Sequence, residues 1–337
     1  MTGMSPHAEI LYSILNRMEC AMREQNPVSA RELSAETGIS TTRIRSHIDY
    51  LRDHEGLDIE SIRGRGYLLT DPPRHLHRMY LHALLAHEMR ELPVYLHAKL
   101  GSTNDEAQRL LREEDVSPFF VCACQQTHGR GRMQRNWLSD SSSNLYLSMA
   151  CRPPATGIPM NRFTQWIGLA LCKYLDESYD MPVTIKWPND LYCRGRKLAG
   201  ILTESRTQSW ETTDMVVGVG LNINMDSAAF PLELRDDATS MKQECGTSLD
   251  LNRVAAGVLL ALYHAYESFL AGTHKHAFRP LWIDYDCLNG QQVTVSQSGQ
   301  SFEARACGVD ERGGLMLVLP DGERIVVSSG DVSIRPH

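Results

Sequence analysis

The sequence predicts an α+β multidomain protein: a winged helix-turn-helix module, then a central α/β domain, then a small C-terminal β-barrel. Three observations carry this. Capped helical periodicity fills the first fifty residues and ends in a hairpin pattern. Strands and helices alternate from Pro93 to Leu270. From about Leu288, apolar and polar residues alternate with frequent glycine. The length of 337 residues exceeds one average domain and permits two or three.

The elements follow in order. Ile10, Leu11, Ile14, Leu15, Met18 and Met22 fall on one face of a helix over 8–24, stopped by Asn26-Pro27. Ser29-x-x-Glu32 is a capping box for a second short helix, and Gly38 makes a turn. Ser40 caps a third helix whose Ile44, Ile48 and Leu51 face inward. Leu57 to Ile62 and Tyr67 to Leu69 read as strands joined by Arg63-Gly64-Arg65-Gly66, which completes a winged helix-turn-helix plan. Asp71-Pro72-Pro73 is a linker signal. Strands are expected at 93–98, 119–124, 144–150, 183–187, 198–204 and 215–224. Helices are expected from Ser102 to about Leu111, near 162–179 and over 249–270. The tail holds several short strands. The expected domains are therefore 1–70, 71–286 and 287–337.

The bulk properties exclude little but bound the class. Hydrophobic residues make up 42% and charged residues 22%, as in a globular protein with a real core. No apolar run approaches the roughly 20 residues of a bilayer span, and no secretory signal is visible, so no membrane association is expected. The nine cysteines are scattered, and Cys122-x-Cys124 has no second pair at zinc-like spacing. They read as core residues of a cytoplasmic protein. His75, His77, His82 and His87 read as a helix surface. Net charge is −7, which argues against bulk nucleic-acid binding but leaves room for a local basic patch.

Four segments within about a hundred residues carry chemistry: Gly129-Arg130-Gly131-Arg132 running to Trp137, Lys186-Trp187-Pro188-Asn189-Asp190, Lys197-Leu198-Ala199-Gly200-Ile201-Leu202, and Gly218-Val219-Gly220-Leu221-Asn222. They supply a flexible cationic loop, a second fixed cation, a carboxylate and Gly-rich strand ends. Any one alone reads blandly. Gly-Arg-Gly-Arg is most often a solvated loop, Lys197 a surface lysine, and Ser102-Thr103-Asn104 a good helix cap. Together they suit the joining of an anionic acid to a nucleotide phosphate. Two anions must meet there, and fixed positive charge is what such an encounter needs. Arg130 and Arg132 can fork onto carboxylate and phosphate oxygens.

From Glu91 to about Ile334 the chain resembles the biotin–protein ligase family, and with its N-terminal module the bifunctional ligase and biotin-operon repressor class. The resemblance implies a class II synthetase-like catalytic domain and an SH3-like C-terminal barrel. It implies synthesis of biotinyl-AMP from biotin and ATP with Mg²⁺, then transfer of biotin to a specific lysine of a biotin carboxyl carrier protein domain. By the same resemblance Lys197 contacts the biotin carboxylate and the α-phosphate. Ser102, Thr103, Asn104 and Gln126 surround the ureido ring, and Trp137 packs beside the ligand. Gly218, Gly220 and Asn222 line the nucleotide side, where small residues leave room for adenosine, and Gly129, Gly131 and Gly200 complete the binding set. Asp190 has two readings: holding Mg²⁺ and phosphate, or orienting the acceptor lysine and taking its proton.

The chain departs from the family pattern at three points. Met133 and Gln134 replace the usual Arg-Gly pair, which should stiffen the loop. His128 replaces a small residue. The segment after Asn224 lacks the tryptophan of the adenine-ordering loop, so no adenine-stacking residue is assigned.

Over residues 1–70, eight Arg or Lys oppose ten Asp or Glu. The positives nevertheless stand where DNA contact needs them: Arg43 and Arg45 on the third helix, Arg63 and Arg65 on the wing. Operator DNA and a homodimer in the adenylate-bound state are the expected partners. The alternatives are a ligand-sensing repressor without turnover and a ligase for lipoate or an octanoyl group.

Overall fold

The computed structural model describes residues 6–85, 88–89, 92–113, 116–153, 159–207, 213–297 and 300–334. Contacts divide the chain into two compact units, one made of residues up to Leu96 with Asp250–Leu260, the other of the remainder.

In the first unit, α1 (Pro6–Arg23), α2 (Ala30–Thr37) and α3 (Thr41–Asp53) precede the antiparallel hairpin of β1 (Ile59–Ile62) and β2 (Gly66–Leu69). The expected caps form. Ser29 Oγ accepts from Glu32 N while the Glu32 carboxylate accepts from Ser29 N at 2.7 Å. Gly38 ends α2 at φ 73, a left-handed turn where glycine costs nothing sterically. Leu11, Ile14, Leu15 and Met18 of α1 pack with Leu33, Ile44, Ile48, Leu51 and Leu69. Val28 and Tyr67 exchange two backbone hydrogen bonds of 2.8 Å, an isolated bridge that fastens the chain just before α2 to the two-stranded wing.

The helix α4 (Arg78–Leu85) adds Met79, Tyr80 and Ala83 to this core; it begins after His75 and His77, which, contrary to expectation, do not stand on a helix. The expected boundary after Thr70 therefore falls inside the compact unit, because α4 covers apolar surface that α1 would otherwise expose. Asn252 holds the stretch between them. Its Nδ2 donates to Pro73 O at 3.1 Å and His75 O at 2.9 Å, and its Oδ1 accepts from His77 N at 2.7 Å. His82 is not a surface residue. It stacks on Tyr12 at 5.3 Å, and burial lowers its pKa. His87 lies outside the described residues.

The second unit is built on a seven-stranded sheet. Its elements are β3 (Val94–Leu100), α5 (Thr103–Glu113), β4 (Phe119–Gln126), β5 (Leu145–Cys151), α6 (Met160–Tyr179), β6 (Val183–Lys186), β7 (Asp190–Cys193), β8 (Arg196–Thr207) and β9 (Thr213–Leu221). After them come α7 (Met241–Cys245), α8 (Leu251–Leu270) and α9 (His274–Tyr285), with Asp250–Leu260 at the start of α8 counted in the first unit. The sheet order is β3-β4-β5-β9-β8-β7-β6. β7 was not expected. It turns back on β6 directly after Trp187-Pro188-Asn189, pairing Lys186 with Asp190. Cys122 and Cys124 share one face of β4, buried and half-buried, as expected, whereas Cys20 and Cys307 are exposed and, contrary to expectation, do not belong to the core.

The helix α6 buries Phe163, Ile167, Leu171 and Leu175. A Cβ at Gly168 would lie 2.7 Å from Ile185 Cδ1 and 3.4 Å from Ile201 Cδ1, so α6 packs closely on that face of the sheet. Strand side chains alternate, so Gly200 and Leu202 point to the other face.

The tail forms an antiparallel sheet of β10 (Gln292–Gln297), β11 (Gln300–Val309), β12 (Leu315–Val318), β13 (Arg324–Val327) and β14 (Asp331–Ile334), in the order β13-β12-β11-β10-β14. Gly313 O accepts from Gln165 Nε2 at 2.7 Å and from Trp187 Nε1 at 3.0 Å, which ties this sheet to α6 and to the end of β6. Among the described residues no helix is long and apolar enough to cross a membrane.

Gly66 has φ 127, and a Cβ there would lie 2.2 Å from Val28 O. Gly66→Ala is expected to break the Val28–Tyr67 bridge and destabilise the N-terminal unit by about 1–3 kcal/mol. An unchanged unfolding midpoint in urea would refute the clash.

Candidate active site

The site rests on a patch of sheet without side chains. Gly200 stands opposite Gly220 across β8 and β9, and Gly218 stands between Leu202 and Ser148 on its two neighbours. Two side chains occupy the vacated space. A Cβ at Gly220 would lie 2.3 Å from Trp137 Nε1, and one at Gly200 would lie 3.0 Å from the same indole. A Cβ at Gly218 would lie 2.3 Å from Asn104 Oδ1. Gly218 and Gly220 also border the cavity, and Asn104 and Trp137 pack where their side chains would stand. Gly129 is also a close-packing residue, since a Cβ there would meet Ser139 Oγ at 2.4 Å and Trp137 O at 2.5 Å.

Around this patch is a cavity of about 850 Å³. Ser102, Thr103, Asn104, Gln126, Arg130, Gly131, Arg132, Trp137, Asp190, Lys197, Gly200, Gly218, Gly220 and Asn222 line it, so the separate motifs meet in one place; Gly129 does not line it.

One end of the cavity is polar and neutral. Thr103 N and Oγ1 donate to Gln126 Oε1 at 2.8 and 3.1 Å, and Gln126 Nε2 donates to Ser139 Oγ at 3.1 Å. The Ser148 hydroxyl lies 2.8 Å from Thr103 Oγ1 and 2.6 Å from Asn104 Oδ1. Asn104 Nδ2 donates to Glu204 Oε2 at 2.7 Å. Ser102, Thr103, Asn104 and Ser148 are all buried, and buried polar groups need such partners. Sequence reading missed Ser148, Ser139 and Glu204. The one available signal was a serine inside the otherwise apolar run Leu145–Cys151.

The other end is charged. Lys197 Nζ donates to Asp190 Oδ2 at 2.7 Å and lies 5.5 Å from the Trp137 ring centroid. Lys197 N donates to Asp237 O at 2.7 Å, and Lys197 O accepts from Thr239 N at 2.9 Å. Asn222 donates through Nδ2 to Thr239 O at 3.0 Å, so it braces the same wall. Lys186, another cation lining the cavity that sequence reading did not single out, lies 4.8 Å over the Tyr192 ring.

The loop arginines diverge. Arg130 forks onto Asp105 at 2.6 and 2.7 Å and lies 3.7 Å from Glu204. Its hydrogen bonds hold the Asp105 carboxyl below the usual carboxylate range. Arg135 pairs with Asp331 of β14. Arg132, by contrast, is half-buried. Its Nη1 donates to Asn189 Oδ1 at 3.3 Å, and burial lowers its pKa against the pull of Asp331 and Asp190. Met133 and Gln134 between them have φ 53 and 58. Left-handed backbone costs an ordinary residue roughly 1–2 kcal/mol. Gln134 thus takes a glycine-like conformation where the resembling family has glycine.

Among the described residues no three His, Cys, Asp or Glu side chains gather as a metal site. Asp190 offers one carboxylate, with Oδ2 already bonded to Lys197. These residues do not fit a resident metal; Mg²⁺ held mainly by nucleotide phosphates is the arrangement they leave open.

In the N-terminal unit, Arg43 and Arg45 are exposed on α3, opposite the buried Ile44, His47, Ile48 and Leu51. Arg63 and Arg65 are exposed at the hairpin tip.

Comparison with known proteins identifies relatives of all three segments of the chain. The profile of the biotin/lipoate A/B protein ligase family matches residues 99–222, that of the biotin protein ligase C terminal domain residues 289–335, and an HTH domain residues 15–68. The chain is 30% identical over 305 residues to the bifunctional ligase/repressor BirA of Bacillus subtilis (strain 168), covering 90% of this chain and 92% of that one. It is 31% identical over 312 residues to the Escherichia coli (strain K12) protein of the same name, covering 91% and 92%. A solved biotin protein ligase from Aquifex aeolicus, in complex with biotin and ATP, superposes with a TM-score of 0.62 at 26% identity, covering 73% of this chain and 99% of that one.

Gly220→Ala must move the indole. The expected outcome is an altered tryptophan emission spectrum that is absent when the same substitution is made in a Trp137→Phe background. Equal spectral changes in both backgrounds would remove Trp137 from the sheet.

Proposed function

Because the chain belongs to the family of bifunctional biotin–protein ligases and repressors, we propose that it joins biotin to ATP as biotinyl-5′-AMP and passes biotin to a lysine of a biotin carboxyl carrier protein domain. We further propose that the adenylate is the corepressor with which it silences a biotin operon. One observation supports the ligase reading above the others: a single cavity has a neutral hydrogen-bonding cluster at one end and Lys197, Asp190 and Arg132 at the other.

Each end has a task. A ureido ring is neutral and polar, and the buried Ser102, Thr103, Asn104 and Gln126 offer it donors and acceptors. The acid's carboxylate then lies toward the cations. Its oxygen attacks the α-phosphorus and pyrophosphate leaves, while Lys197 and Arg132 offset the charge that accumulates. In the second step the acceptor amine attacks the acyl carbon and AMP leaves. Asp190, already bonded to Lys197, is the carboxylate at hand to take the amine's proton. The Arg130–Asp105 and Arg135–Asp331 pairs hold the loop at two points, and a held loop keeps water from the adenylate.

The same reading supplies partners. Arg43, Arg45, Arg63 and Arg65 would contact operator DNA, and a homodimer in the adenylate-bound state would match a two-fold operator. The nine cysteines are free, in keeping with a cytoplasmic protein.

Incubation with biotin, Mg²⁺ and α-labelled ATP should give a biotin-dependent labelled adenylate that a carrier domain discharges. Lys197→Ala and Arg132→Ala should each lower its formation by about 10²-fold with little change in melting temperature. Normal turnover in either variant would overturn that residue's role. Label only with lipoate would move the protein to lipoate chemistry, and biotin binding without adenylate would make it a sensor.

Arg45→Ala should reduce operator affinity and flatten its salt dependence by about one unit of log–log slope if the residue meets a phosphate. Unchanged affinity and slope would exclude Arg45 from the interface.

A further inference from the structure

Glu244 lies on α7, outside the cavity lining, with its side chain only 2% exposed. Its carboxylate gathers three donors, each at 2.6 Å: Arg194 Nη1, Arg196 Nη2 and Thr239 Oγ1. Burial works against its charge, but the bonds from Thr239, Arg194 and Arg196 outweigh it and keep the carboxyl below its usual range. A buried carboxylate is costly unless its geometry is this complete.

The donors sit at revealing places. Arg194, at φ 47, and Gly195, at φ 80, make the tight turn between β7 and β8. Left-handed backbone at Arg194 is strained, and its side chain reaches Glu244 from there. That hairpin carries Asp190 on β7 and Lys197 on β8. Arg196 is the residue immediately before Lys197. Thr239 belongs to the segment bonded to the Lys197 main chain on both sides, through Asp237 O and Thr239 N. Glu244 therefore grips the chain next to Lys197 and also the strip of chain against which Lys197 lies.

We infer that Glu244 is a positioning residue for Lys197: it locks the hairpin tip to the 237–239 segment and so holds the ammonium at the charged end of the cavity. The inference rests on the ligase reading for its catalytic consequence, but not for its structural one. A staple that served stability alone would change the melting temperature and nothing at Lys197.

The test uses the full chain as wild type, Glu244→Ala, Glu244→Gln, Lys197→Ala and the Glu244→Ala/Lys197→Ala double variant. Glu244→Ala should lower kcat for adenylate formation about 10- to 100-fold, the scale of a small misplacement of a catalytic group. Biotin affinity, to which the ureido end of the cavity also contributes, should fall less than kcat does. In the Lys197→Ala background the same substitution should cost nothing further, because two residues acting through one group are not additive. Glu244→Gln, which keeps an acceptor but no charge, should fall between.

A second readout is independent of turnover. Amine-reactive labelling mapped by mass spectrometry should find Lys197 several-fold more reactive in Glu244→Ala than in wild type. Unchanged kcat in a folded variant, an equal loss in the Lys197→Ala background, or unchanged labelling would each overturn the inference. Should Glu244→Ala not fold, the same comparisons on Glu244→Gln decide. Absence of adenylate from the wild-type protein would count against the ligase reading alone, with labelling still deciding the role of Glu244.

Discussion

The site depends on the absence of side chains at two facing positions, Gly200 and Gly220. An indole can lie directly on sheet backbone only where no Cβ intervenes, and Trp137 does so. This draws the end of the 129–137 loop onto the sheet. Once it is there, Gly129 O can accept from Trp137 N at 2.9 Å, and Arg132 reaches Asn189. One step along β9, Gly218 admits Asn104, which then meets Ser148 on the adjacent strand. The cavity's two ends are thus set by one strip of glycine, spaced by the two-residue repeat of a strand.

The charged groups on this frame have unequal freedom. Arg130 and Arg135 are matched by carboxylates on α5 and β14, while Arg132 is drawn toward Asn189 and Asp190. Three similar side chains in one short loop therefore differ in partners and burial. Exposed ion pairs contribute little stability, so the pairs at Arg130 and Arg135 matter more for where the loop lies than for how tightly the protein folds.

Residues that act as neighbours in sequence were legible; residues that act across the sheet were not. Gly-Arg-Gly-Arg, Lys-Trp-Pro-Asn-Asp and Lys-Leu-Ala-Gly each concentrate unusual chemistry in a few positions, and all three reach the same cavity. Glu204, Asp105 and Glu244 are each ordinary where they stand, and Ser148 is marked only by the apolar run around it. Asn104 and Glu204 are 100 residues apart, and the packing of α5 on the sheet, which no local pattern encodes, brings them together. The strand β7 was hidden for a related reason: four residues following a proline give too short a run for a two-residue period to show. The glycines of β9 were seen, but not the indole and the carboxamide that pack on them, because a sequence can reveal vacant space without revealing its neighbours.

Asn252 has a consequence for how the chain is made. It bonds to Pro73 and His75 within the N-terminal unit, yet it follows Pro73 by 179 residues. At a synthesis rate of about 5–20 residues per second, roughly 9–36 s pass between the emergence of these partners. During that interval the DNA-reading module exists without the carboxamide that organises its last loop. Its final form is therefore reached only after most of the catalytic unit has been translated, and a truncated product would carry its helices but not its complete anchorage.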